Sequence, residues 1–293
     1  MAVLEVKAYA KLNLSLDVLG KRPDGYHDMR MVMQTVSLSD SIRLETGTGR
    51  PLHMGSSLGF LPSNESNLAA AAALRLCEVT GVDLGGLSID LEKHIPVCAG
   101  LAGGSADAAA VLRGLNRMLA LELPGPRLEE IGALVGSDVP YCVRGGTALA
   151  EGRGEVLTDL PPLPRCVVVL CKPAFSVSTP ELFARIDSCR IRCRPDTAGL
   201  LAALETGDLH QVARRMYNVF EDALPPRRAQ EIDAIKNVLI QHGALGASMS
   251  GTGPTVFGLF DRQESARSAW EALRAQYPET FLAETMGNLL EQV

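Results

Sequence analysis

Residues Ile95–Ala110 read IPVCAGLAGGSADAAA, a cluster of glycines running straight into a block of strong helix formers. Glycine surrenders more conformational freedom on folding than any other residue, so such a cluster marks a turn or a close approach to the backbone. The pattern predicts a helix from about Ser105 to Leu119, beginning where the glycines end. Amides in the first turn of a helix have no partner within it and carry partial positive charge, so a glycine loop entering a helix is a seat for phosphate. Gly100, Gly103 and Gly104 permit the approach and Ser105 adds a hydroxyl. Neither GxxxxGK[ST] nor a strand followed by GxGxxG occurs, which excludes the Walker loop and the dinucleotide fingerprint. Taken alone, the loop fits a tightly packed glycine turn before a small-residue helix equally well.

A formal charge of −6 over 293 residues argues against a broad polyanion-binding surface, so no nucleic-acid partner is expected, while a small anionic ligand needs only a local pocket. The chain has no basic start leading into an apolar run and no apolar stretch of about 18 residues. A soluble, cytoplasmic protein without a membrane span is expected, as monomer or homodimer. The seven cysteines are scattered, and Cys189 and Cys193 lack the partners of a zinc site. They are expected to be reduced and mostly buried.

Alternation of apolar and polar residues from Leu4 to Leu19 predicts a strand covered on one face, ending at the turn Pro23-Asp24-Gly25. A second strand, MRMVMQTVSL, follows. A helix capped by Ser63 or Ser66 and stopped at Gly81 precedes a strand in GLSIDLEKHIPV. After the glycine loop and its helix come a short helix in LEEIGALVG and tight strand turns in SDVPYCVRGGTALAEGRGE. The proline-rich LPPLPR at 160–165 reads as a connection, dividing the chain into residues 1–159 and 160–293. Helices are predicted near 179–187, 196–205, 208–220, 227–242 and 263–276, with a last strand near 280–286. Strands and helices without regular βαβ alternation point to two α+β layers.

PVCAGLAGGSADAA resembles the ATP loop of the GHMP kinase superfamily. YAKLNLSLDVLGKRPDGYH, GSDVPYCVRGGTALAEGRGE and SMSGTGPTVFGLF follow that family's other motifs in order, so the resemblance spans residues 7 to 260. It implies a two-domain α+β GHMP kinase fold: an N-terminal ATP-binding domain and a C-terminal α+β domain with an antiparallel sheet. It also implies ATP as co-substrate, Mg²⁺, and a small-molecule alcohol substrate carrying a cytidine diphosphate group. The family loop runs closer to P-x-G-A-G-L-G-G-G-S-S-x-A-A. Here Cys98, Ala99, Ala102 and Ala106 replace two small residues, a glycine and a serine, so a second hydroxyl is missing.

By the same resemblance, the ATP phosphates belong to Pro96, Val97, Cys98, Ala99, Gly100, Leu101, Ala102, Gly103, Gly104, Ser105 and Ala106, and adenine to Asn67 and Lys93. Asp138 is implied as the base that takes the alcohol proton, with Lys11 beside it and Asn13 positioning the substrate. Tyr26 and His27 match the pair that holds cytosine, Phe183 a second aromatic wall and Thr179 a hydroxyl contact. Gly251 and Gly253 line the floor of the site or turn a strand, and Asp107 complements the helix dipole. No metal ligands are assigned. A homoserine- or mevalonate-type GHMP kinase and a catalytically silent nucleotide-binding regulator on the same fold remain open. Tyr26 with His27 argues against the first, and Lys11 with Asp138 against the second.

Overall fold

The computed structural model describes residues 2–49 and 52–290. Strands β1 (Ala2–Lys21) and β2 (His27–Thr46) form one long antiparallel hairpin, closed at a turn where Gly25 takes φ 88°. Irregular register after Tyr9, Asn13 and Val18 breaks the ladder and bends the ribbon. Strand β3 (His53–Ser56) precedes helix α1 (Leu68–Thr80), strand β4 (Leu87–Glu92) and helix α2 (Gly103–Met118). Helices α3 (Gly125–Ala133) and α4 (Val139–Arg144) lead to strands β5 (Thr147–Gly152) and β6 (Val156–Asp159). β4 pairs with the far end of β2 and β5 with its near end, which leaves β2 central, with β1 along its other edge. Alanines on α1 and α2, among them Ala69, Ala73, Ala106 and Ala109, are buried where the two helices pack, so the short side chains let the helices approach closely.

The second half supplies strand β7 (Val167–Cys171), helices α5 (Thr179–Ile186), α6 (Thr197–Glu205) and α7 (Leu209–Arg214), and strand β8 (Tyr217–Asn218). Helices α8 (Phe220–Ala223) and α9 (Pro226–Gln241) are followed by strands β9 (Gly246–Met249) and β10 (Val256–Phe260), helix α10 (Gln263–Arg274) and strand β11 (Thr280–Glu284). The order β11-β7-β10-β9 is antiparallel throughout, and α9 and α10 pack against it. The fold is the expected two-domain α+β arrangement, with an antiparallel sheet in the C-terminal half. Among the described residues no helix is long and apolar enough to cross a membrane.

Five local expectations are corrected. The cap of α1 is Asn67, whose side chain accepts from the Ala69 N–H, rather than Ser63 or Ser66. Residues 139–144 are helical, where only turns between strands were expected, because Pro140 in the first turn favours helix and Gly145 ends it. The helix expected over 208–220 stops at Arg214, because Tyr217–Asn218 crosses over to pair with Ser15 and Leu16 of β1. β1 is also covered on both faces rather than one: its polar residues Lys11, Asn13, Ser15 and Asp17 are buried alongside Leu12, Leu14 and Leu16. The cysteines are all free, but only Cys142, Cys166 and Cys171 are buried, and Cys98 and Cys193 are exposed.

Candidate active site

The glycine loop is held by its carbonyls. Ala99 C=O accepts from Thr255 N–H (3.3 Å), Gly100 C=O from the Ser250 hydroxyl (2.9 Å) and Leu101 C=O from Lys11 N–H (3.2 Å). These acceptors are turned into the protein. The first bond of α2 is Ala106 N–H to Ala102 C=O at 2.8 Å, so the amides of Gly103, Gly104 and Ser105 have no acceptor within the helix. No side chain caps this end, which leaves an anion as the complement to its charge. Cys98 and Ala102 stand in the left-handed region at φ 53° and 56°, a conformation natural to the glycines of the family pattern.

Gly100 answers a different need from the one its position implied. A Cβ there would lie 2.1 Å from the Ser250 carbonyl oxygen, so what approaches closely is the main chain of the 250–253 turn. Gly251 returns the contact, its own Cβ position being 2.9 Å from the Gly100 oxygen. Ser250 ties three segments together, since its hydroxyl also accepts from Asn13 N–H at 3.3 Å.

Beneath the loop lies a buried charge cluster. Lys93 Nζ donates to Asp40 and to Asp107 Oδ2, the latter at 2.5 Å, and Asp40 Oδ1 accepts from Ile95 N–H at 2.8 Å. Asp107 therefore has a buried cation for a partner and does not merely face the helix dipole. Burial raises its carboxyl to about 7, against the opposing pull of Lys93. Its Oδ1 is buried with no hydrogen-bond partner. Asn67 spends its oxygen on the Ala69 N–H and its amide on Pro62 C=O.

At the other side of the loop, Lys11 Nζ donates to Asn13 Oδ1 at 2.7 Å and lies 3.8 Å from Asp138 Oδ2. Lys11 is buried and Asp138 reaches the surface of a cleft of about 990 Å³. Asn13 is wholly buried beneath them. Also lining the cleft, His27 has Nε2 2.7 Å from Asp187 Oδ1 and its ring stacked on Phe183 at 4.7 Å. Phe183 meets Phe220 edge to face, which fixes the aromatic wall. Tyr26 is exposed, with Arg153 over its ring at 5.0 Å. Thr179 Oγ1 is 3.0 Å from Thr252 Oγ1 across the cleft wall.

A second cavity, of about 320 Å³, runs along the opposite side of the loop between Asn67, Lys93 and Asp107. Cys98, Gly100, Ala102 and Ser105 line both cavities. The glycine loop is therefore the wall across which a group would pass from one ligand to the other. Pro96, Val97, Ala99, Leu101, Gly103 and Gly104 line the smaller cavity only, and Ala106 is buried behind it. Sequence reasoning missed Asp40, Asp187 and Ser250, whose partners are too distant along the chain to form a spacing motif, and Arg153, whose contact with the Tyr26 ring is equally distant.

Residues 67–146 match the family model "GHMP kinases N terminal domain" and residues 200–279 match "GHMP kinases C terminal". The 4-diphosphocytidyl-2-C-methyl-D-erythritol kinase of Lachnospira eligens is 45% identical over 274 residues, 94% of this chain and 94% of its own. That of Lachnoclostridium phytofermentans is 46% identical over 270 residues, 92% of each. A crystal structure of 4-(cytidine 5'-diphospho)-2C-methyl-D-erythritol kinase superposes with TM-score 0.80 at 32% identity, covering 97% of this chain and 100% of the other. Homoserine kinase from Cytophaga hutchinsonii shares the fold, with TM-score 0.76 at 22% identity over 98% of this chain and 96% of its own.

Proposed function

This chain belongs to the GHMP kinases, among the 4-diphosphocytidyl-2-C-methyl-D-erythritol kinases, and from that premise we propose how its residues divide the reaction. It transfers the γ-phosphoryl group of ATP to the 2-hydroxyl of 4-diphosphocytidyl-2-C-methyl-D-erythritol, in the non-mevalonate route to isoprenoid precursors. The observation that carries this reading is the wall shared by the two cavities, with Asp138 and Lys11 on one side of it and the free amides of α2 at its end.

Phosphoryl transfer asks mainly for alignment and charge neutralisation, with one group to accept the alcohol proton. ATP occupies the smaller cavity, its base beside Asn67 and the stem of Lys93, its phosphates on the amides of Gly103, Gly104 and Ser105. The substrate occupies the larger cleft, cytosine against Tyr26, His27 and Phe183, with Thr179 at its side. The alcohol oxygen attacks the γ-phosphorus, its proton passes to Asp138, and ADP leaves. Lys11, held by Asn13, places a positive charge beside the reacting groups.

Ser105 and the unpartnered Oδ1 of Asp107 offer the hard oxygen donors that would hold a Mg²⁺ ion, which would neutralise phosphate charge when bound. A monomer or a homodimer fits this reading. A division at residues 1–159 and 160–293 and a cytoplasmic setting complete the reading. The test is ADP release from Mg·ATP with three acceptors: the cytidyl diphosphate alcohol, homoserine and mevalonate. Turnover with the first alone is expected. Equal or faster turnover with either of the others overturns the substrate assignment.

A further inference from the structure

The acceptor cleft is lined both by the aromatic group Tyr26, His27 and Phe183, assigned above to the base, and by the reacting pair Lys11 and Asp138. A base linked through a diphosphate to an alcohol, spanning these two groups, puts its densest negative charge in the middle. Lys11, Lys21 and Arg153 are the lysines and arginine that line the cleft among the described residues. Lys11 is committed to Asn13 and Asp138, and Lys21 pairs with Asp187 at 3.4 Å beside His27.

Arg153 lies between. Its guanidinium sits 5.0 Å from the centre of the Tyr26 ring, while a Cβ on the next residue, Gly154, would be 3.8 Å from Asp138 Oδ1. The turn is fixed in this place by Gly154 N–H donating to Glu151 C=O at 3.0 Å. The side-chain partner of Arg153 is Glu155, at 3.6 Å, beyond hydrogen-bond reach and open to solvent. A partly exposed pair of that kind contributes little and exchanges readily. The planar fork of a guanidinium matches phosphate oxygens two at a time.

We propose that Arg153 binds the diphosphate of the acceptor substrate, exchanging Glu155 for it while its stack on Tyr26 sets the register between base and alcohol. The inference rests on the substrate reading above. Calorimetric titration of the full chain, wild type and the variants Arg153→Gln and Arg153→Lys, with CDP and with cytidine separates the roles. Arg153→Gln is expected to weaken CDP roughly tenfold and cytidine less than about twofold, with the lysine variant recovering part of the loss and ATP unaffected. Equal losses for CDP and cytidine would show that Arg153 only braces Tyr26, and unchanged CDP binding would show no contact; either overturns the proposal. Wild-type protein that binds ATP but not CDP overturns the substrate reading, and this inference with it.

Discussion

Gly100 and Ser250 meet main chain to main chain, with a Cβ on the glycine falling 2.1 Å from the serine carbonyl oxygen, and this contact sets the phosphate loop against the C-terminal half. Gly100 also takes φ 76°, so alanine there faces both a strained backbone and a clash that no side-chain rotation relieves. Gly100→Ala is expected to lower stability by roughly 2–4 kcal/mol and to raise the KM for ATP. Chemical denaturation and steady-state kinetics check this. A variant as stable as wild type would show that the two loops do not pack in this way.

Ala102 presents the opposite case. At φ 56° it carries a side chain where glycine is at ease, and a left-handed residue costs about 1–2 kcal/mol. The greater freedom of glycine in the unfolded chain offsets part of that. Ala102→Gly is therefore expected to gain about 1 kcal/mol in denaturant titration, with catalysis preserved because the amides of Gly103, Gly104 and Ser105 keep their places.

Asp138 is the proton acceptor in this account, and asparagine keeps its shape without its basicity. Asp138→Asn is expected to reduce kcat by about 10²–10⁴-fold while nucleotide still binds. Single-turnover kinetics with an ATP-binding control separate the two effects. Unchanged turnover removes the assignment.

Burial raises the Asp107 carboxyl to about 7, so its native pKa lies above the unfolded value of 3.8. The native state therefore holds this proton more tightly, and the contribution of the group to stability is greatest below its unfolded pKa and declines as the pH rises toward 7. In Asp107→Asn that decline is absent. The stability difference between variant and wild type should shift in favour of the variant across this range, measured by denaturation at a series of pH values. A difference that is constant with pH contradicts the buried-carboxylate reading.

Much of this was legible in the sequence, and what was not has a common cause. The glycine loop, the long hairpin and the turn before Tyr26 are local features, written in adjacent residues. The role of Asp107 was hidden because its partner Lys93 lies 14 positions away and is shared with Asp40, 67 positions from Asp107, and nothing near the start of a helix announces a buried cation. Gly100 shows the same limit: the need for glycine was evident, but the body that approaches it was not, since Ser250 is 150 residues further on. Alternation in β1 marked a strand correctly and its covering incorrectly, because the polar row Lys11, Asn13, Ser15 and Asp17 is buried, with Lys11 beside Asp138 and Asp17 paired with Arg194, partners more than 100 positions away. Where tertiary contacts overrode local pattern, as at Tyr217–Asn218, a predicted helix became a strand.

Crystals grown with a non-hydrolysable ATP analogue test the central claim most directly. The account predicts triphosphate oxygens on the amides of Gly103, Gly104 and Ser105, with the terminal phosphate facing Asp138 across the wall formed by Cys98, Gly100 and Ala102. A nucleotide whose phosphates lie in another cavity, with the mouth of α2 bare, would contradict it.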